Sequence, residues 1–243
     1  MGPGFSERTF EFCYNAEYCQ INAALLASHP HIPSQQAEKD LGYDVEFEID
    51  QGGFTRSLFL QHKVASFAER KAGKNAHFFD THGQPYFRFP IDNEQHNTLC
   101  QLSQTKGNAF YCAPRFHLSH QLGDRFRSST ITNSVIWLNP VEVGAINDTA
   151  RHNITYDALG QNPTLHSEPK RFSHSFTGEN MPKLKQQKIS PEYVEDLSNE
   201  LLARSQTSKL RPSLDDDLEN ASSVERAQII LGRVYQVTWL LLP

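Results

Sequence analysis

The chain reads as a mixed α/β protein, and three observations carry that reading. A helical pattern comes first, then two alternating strand-like segments around a glycine turn, then a second helix and two apolar strands. This order lacks the regular strand–helix alternation of a doubly wound parallel array. The 243 residues, 38% apolar and 21% charged, are enough to bury a core without disulfide staples and too apolar for wholesale disorder. No run of about 18 uninterrupted apolar residues exists to span a bilayer. The nearest, from Ala227 to Leu242, is broken by Gln228, Arg233, Gln236 and Thr238.

Taken in order, the first helix is predicted over Glu7 to Ala27, with Ser6 as N-cap. A polar stretch carrying Pro30 and Pro33 follows. Strands are predicted at Tyr43–Ile49 and Ser57–Val64, joined through Gln51-Gly52-Gly53. A helix over Asn93–Gln104 leads to an apolar strand, Ala109–Pro114, and another strand near Thr130–Leu138. Residues 161–190, rich in Pro, Ser, Asn and Gln, read as a basic loop or linker. Two helices, Pro191–Arg204 and Val224–Leu242, close the chain. The expected organisation is a core over 1–160, the linker 161–190, and a C-terminal helical element over 191–243.

Charge narrows the partners. Lys and Arg number 23 against 28 Asp and Glu, a formal charge of −5. A protein that simply coats nucleic acid is excluded as a first reading, since such chains are strongly basic. Residues 191–220 hold eight acids and three bases, so the acidic surplus sits in one stretch and the rest of the chain is neutral. That stretch and the apolar terminal helix are a candidate surface for self-association or for a protein partner. Cys13, Cys19, Cys100 and Cys112 form no CxxC pair and read as small buried residues of a reducing compartment. With no secretory signal pattern, the expectation is a cytoplasmic protein without a membrane partner.

The chemistry concentrates in residues 41–67. Strand side chains alternate with period two, so Val45, Phe47 and Ile49 point one way and Asp44, Glu46 and Glu48 the other. On the second strand Phe59, Gln61 and Lys63 share a face, with Leu58, Leu60 and His62 opposite. A hairpin can therefore gather Asp44, Glu46, Gln61 and Lys63, a set of hard oxygens with one ammonium that suits a divalent metal and a phosphate ester. The plain alternative is a polar face meeting water. Against it, Lys63 lies in an apolar run, and lysine is rarely buried without a partner. At 100° per residue, Glu7 and Glu17 fall on the stripe of Phe10, Tyr14 and Ile21, whereas Glu11 falls on a mixed flank. Both acids also have ordinary readings, Glu7 at a helix start and Glu17 at a rim.

A helix acid, Gly42-Tyr43-Asp44 leading a strand, and Gln61-His62-Lys63 ending an apolar strand resemble the PD-(D/E)xK phosphodiesterase superfamily. The glutamine is similar to that of its Mrr-like QxK restriction endonuclease branch. The resemblance covers residues 5–65, and Tyr43 stands where the family's proline would be. It implies a restriction-endonuclease-like core, a mixed central sheet flanked by helices. It also implies Mg²⁺- or Mn²⁺-dependent hydrolysis of DNA, as in restriction and anti-phage systems. Carried across, Asp44 binds the metal, Gln61 takes the second acid's position and Lys63 is the catalytic lysine. The helix glutamate maps onto Glu7 or Glu17, with Glu11 third. Glu38 stays open between a surface role and the lip of the site. The rival reading is a catalytically inactive subunit that keeps the fold and binds nucleic acid or a protein.

Other signals are weaker. Pro30 separates His29 from His31, and His117 with His120 lacks a third ligand, so a histidine zinc site ranks below the carboxylate site. His62, on the face opposite Gln61, is expected to pack. Arg56, Arg70, Lys71, Lys74, Arg88, Arg115, Arg125 and Arg127 are candidate phosphate contacts, each also explicable as solvated surface. Phe78, Phe79, Tyr86, Phe87 and Phe89 read as core rather than as a base-stacking platform.

Overall fold

The computed structural model describes residues 1–34, 37–38, 41–50, 55–71, 73, 76–166 and 169–177, with short pieces at 195–196, 198–199, 218–219, 221–223, 225–226 and 229. The Gln51-Gly52-Gly53 turn and most of both expected C-terminal helices lie outside the described residues, as does most of the candidate association surface.

Helix α1 spans Glu7–Asn22, and the Ser6 side chain accepts the Thr9 N–H at its start, as a serine cap should. It ends five residues earlier than its periodicity suggested. Strands β1 (Val45–Asp50) and β2 (Thr55–His62) pair antiparallel, with Val45 opposite Leu60 and Phe47 opposite Leu58. β3 (Ser66–Ala68), helix α2 (Ala76–His82) and β4 (Tyr86–Ile91) follow. Helix α3 (Asn93–Lys106) is capped by Asp92 and closed by Gly107 in the left-handed conformation. β5 (Ala109–Pro114) has the bounds its apolar run implied. Helix α4 (Ser119–Ser128), absent from the expected elements, precedes β6 (Val135–Leu138) and β7 (His152–Asp157).

The stretch past residue 160 is not simply a loop. It supplies β8 (Thr164–His166), β9 (Lys170–Arg171) and β10 (Phe176–Thr177). These strands are two or three residues long, too short for alternation to show in sequence.

Two five-stranded sheets result. The first runs β1-β2-β5-β6-β10 and is mixed, because β2 and β5 are parallel. The second, β3-β4-β7-β8-β9, is antiparallel. One face of the mixed sheet packs on α1 and α4 through Phe10, Tyr14, Leu60, Cys112, Leu122 and Trp137. Its other face shares one apolar cluster with α3 and the second sheet, through Phe59, Tyr111, Leu99, Phe89 and Tyr156. The mixed α/β class is therefore present. A second sheet, rather than helices alone, covers one side of the central sheet, because β4 and β7 carry buried aromatic and aliphatic side chains that need a partner face. Each fully buried Leu or Phe contributes about 1.5–3 kcal/mol, so both clusters hold the site's strands firmly. Among the described residues no helix is long and apolar enough to cross a membrane.

Candidate functional site

The site forms where β1 begins, β2 ends and α1 starts. Gly42 adopts φ +75, and a Cβ there would lie 2.8 Å from Thr98 Cγ2 and 3.0 Å from the Leu99 nitrogen. Only glycine lets this connection pass so close to α3. Tyr43 then packs on Phe59, ring centroids 4.9 Å apart. The Asp44 N–H donates to Leu60 O at 2.8 Å, although Leu60 is already the register partner of Val45. Two residues against one is a β-bulge, a device that re-aims a side chain. Asp44, 8% exposed, accepts the His62 main-chain N–H at Oδ2 (2.5 Å), the same oxygen lying 3.7 Å from His62 Nδ1.

Lys63 follows directly. Its N–H donates to Cys112 O at 2.9 Å, which extends the β2–β5 ladder by one residue. Its half-buried ammonium donates to Gln95 Oε1 on α3 at 3.1 Å. His62 points to the other face and packs edge-on against Phe10 (5.7 Å) and Tyr14 (5.3 Å), as alternation required.

Four carboxyl groups converge on this end of the strands. Burial raises Glu7 above the ordinary carboxylate range, with Lys63 and a Val64 main-chain hydrogen bond opposing and Asp44 reinforcing. Burial likewise raises Glu11, which feels His62, Asp44 and Glu7. Glu38 is pushed up to about 7, by burial first and then by the charge of Asp44, with which it shares a hydrogen bond; Lys63 opposes. Each glutamate is driven toward its neutral form first by burial and then by the crowding of negative charge around Asp44. A bound cation would relieve that crowding.

Asp44, Lys63 and Glu7 lie within electrostatic reach of one another at this end of the sheet. Glu17 does not join them. It shares a helical stripe with Glu7, but ten residues of helix separate them by about 15 Å. Its buried carboxylate accepts hydrogen bonds from the Ile131 N–H (3.0 Å) and from the Thr132 N–H and Oγ1 (2.8 Å each), anchoring the turn before β6. Its assignment as a metal ligand is corrected to a structural role. Gln61 lies on the Lys63 face by register but is fully buried, and neither Oε1 nor Nε2 has a hydrogen-bond partner among the described residues. Glu46, expected on the shared face, bonds instead to Tyr43 Oη at 3.3 Å, and its charged neighbours are Glu48 and Lys106.

Three residues were missed or undervalued. Glu11 lies four residues from Glu7, a spacing that puts side chains on one face and that could have identified it. Glu38, shortly before Asp44, reads from sequence as either surface or the lip of the site, and Gln95 comes from an element distant in sequence that left no local signal. Several proposed phosphate contacts are otherwise engaged: Lys71 pairs with Asp80, Arg127 with Asp124, Arg125 covers Phe116, and Arg115 donates to Leu159 O and Asn133 O. The Arg56 side chain and Lys74 lie outside the described residues.

The donor set is chemically apt for Mg²⁺ or Mn²⁺, which favour carboxylate oxygens. Gln61 is a buried amide without a partner among the described residues, and such a group calls for an explanation, a bound ion or water being one. Among the described residues, however, no three His, Cys, Asp or Glu side chains are already closed into a metal cage. Comparison with family models, with curated proteins and with solved structures finds no match for this chain.

Proposed function

We propose that the protein is a metal-dependent phosphodiesterase acting on DNA, with Asp44, Glu7 and Glu38 as ligands for Mg²⁺ or Mn²⁺ and Lys63 beside them. The observation that supports this reading is the gathering of Asp44, Glu7, Glu11 and Glu38 at the ends of two strands, with the Lys63 charge acting on Glu7 and Glu38. When bound, the ion supplies Lewis-acid activation of the phosphodiester and of the attacking water. Asp44 is oriented by the His62 N–H at Oδ2 and shares a hydrogen bond with Glu38, so the two carboxyl groups stand side by side for a shared ion. The Lys63 ammonium stands ready to stabilise charge that develops on the phosphate in the transition state. Glu11, raised above the ordinary carboxylate range by burial and not among the proposed ligands, is suited to proton transfer with water or the leaving oxygen.

One observation favours a second reading. The lack of a preformed three-ligand cage among the described residues, with Gln61 in place of an acid, fits a subunit that keeps the architecture and binds nucleic acid or a protein without cutting. A supercoiled-plasmid nicking assay with Mg²⁺ and Mn²⁺ separates the two. The enzyme reading expects nicking by the wild type and its loss in both Lys63→Ala and Asp44→Ala. No nicking by folded wild type with either metal rejects it.

A further inference from the structure

We infer that Gln95 is a positioning residue that holds the Lys63 ammonium away from the carboxylate cluster and so keeps the cluster available to a divalent cation. This rests on the metal-site reading above and deepens it.

The argument starts from a conflict built into the site. An ammonium and a divalent cation are rivals for the same carboxylate oxygens. Lys63 is close enough to Glu7 and Glu38 to draw both toward ionisation. Its main chain is fixed beside them by the bond to Cys112 O. A lysine has four rotatable methylene links, so without a competing acceptor its ammonium would swing onto a carboxylate and fill the place of the metal. The observed contact is instead with the Gln95 amide oxygen at 3.1 Å.

The acceptor is well built for that task. Gln95 sits in the first turn of α3, where its N–H is taken by the Asp92 cap at 3.0 Å. The next residue, His96, is buried and anchored to Tyr111 Oη and Gly144 O, both at 2.9 Å. The helix start is thereby fixed to β5 and to the segment after β6. A neutral amide also differs from a carboxylate in what it leaves behind. It orients the ammonium through one N–H, leaves two N–H groups for a phosphate, and does not cancel the positive charge.

Two variants test this, with Mn²⁺ as the probe and free Mn²⁺ read by electron paramagnetic resonance on the full chain. Gln95→Met keeps the length and removes the acceptor. It should weaken Mn²⁺ binding about tenfold, the factor that accompanies loss of a hydrogen bond to a charged group. Gln95→Glu keeps an acceptor, so Mn²⁺ binding should stay within about twofold of wild type. Its plasmid nicking at saturating Mn²⁺ should still fall about tenfold, because the lysine charge is neutralised. A merely structural glutamine would affect both variants alike, and their thermal unfolding reports whether they fold. Equal Mn²⁺ affinity in Gln95→Met and wild type overturns the inference, as does equal weakening in both variants. A wild type that binds Mn²⁺ with the expected split but does not nick DNA leaves the Gln95 role standing and rejects the nuclease. Failure of the wild type to bind Mn²⁺ removes both.

Discussion

The Asp44 carboxylate accepts the main-chain N–H of His62, so the residue that opens β1 is tied to the residue before Lys63. This bond joins the two halves of the site through the backbone rather than through side chains. It sets the orientation of Asp44 before any ligand arrives.

Replacement at Asp44 should therefore separate structure from chemistry. Asp44→Ala leaves a buried N–H without an acceptor and should cost roughly 1–3 kcal/mol. Asp44→Asn retains an acceptor oxygen and should stay within about 1 kcal/mol of wild type while losing cation binding. Urea unfolding of both variants, alongside Mn²⁺ titration, gives the answer. Equal stability of the two would show that the bond contributes little.

The pH response follows from Glu38 and Glu46, both pushed up to about 7, in each case chiefly by burial. A raised carboxyl binds its proton more tightly in the folded state than in the unfolded one. Stability of the metal-free protein should thus be highest below the unfolded carboxylate range and fall as pH rises toward 7. Glu7 and Glu11, raised by burial as well, add to the same slope. Mg²⁺ should reverse the trend, because the ion competes with the proton and binds better as pH increases. Urea midpoints at about pH 5, 6 and 7, with and without Mg²⁺, test both signs. Glu38→Gln should flatten the Mg²⁺-dependent part, and an unchanged pH profile in that variant would count against its place in the site.

Glu17 should behave as a structural residue only. Glu17→Ala removes the acceptor of three hydrogen bonds and should lower stability by roughly 2–3 kcal/mol, since buried donors lose their partner. Mn²⁺ affinity of the folded fraction should not change. A large drop in affinity at unchanged stability would return Glu17 to the site.

Gln61 should show the opposite profile. Its amide has no partner among the described residues and so carries a cost in the core; Gln61→Met, of similar volume, should hold stability or raise it by about 1 kcal/mol. If the amide supports the site, nicking should fall while stability does not. Destabilisation by more than about 2 kcal/mol would mean that the amide has a partner in solution.

Local pattern was enough for much of this molecule. Helical periodicity and the Ser6 cap located α1 and put Glu7 on its inner face. Alternation located β1 and β2 and sent His62 away from Lys63, and a continuous apolar run located β5. The expectation for Glu17 failed because a helical wheel records angle and omits height, and Glu17 lies near the far end of the same stripe. The strands past residue 160 failed for a different reason: pairing partners, rather than their own two or three residues, make them strands.

What the sequence by itself determined is the set of elements with a strong repeat and the placing of Asp44 and Lys63 at the same end of a hairpin, since each depends on residues close together in the chain. Only the tertiary structure decided the bulge that turns Asp44, the contact between Gln95 and Lys63, and the second sheet beneath them. Those features arise from backbone and side-chain groups that meet across long stretches of chain, and no short-range periodicity encodes where such groups will meet.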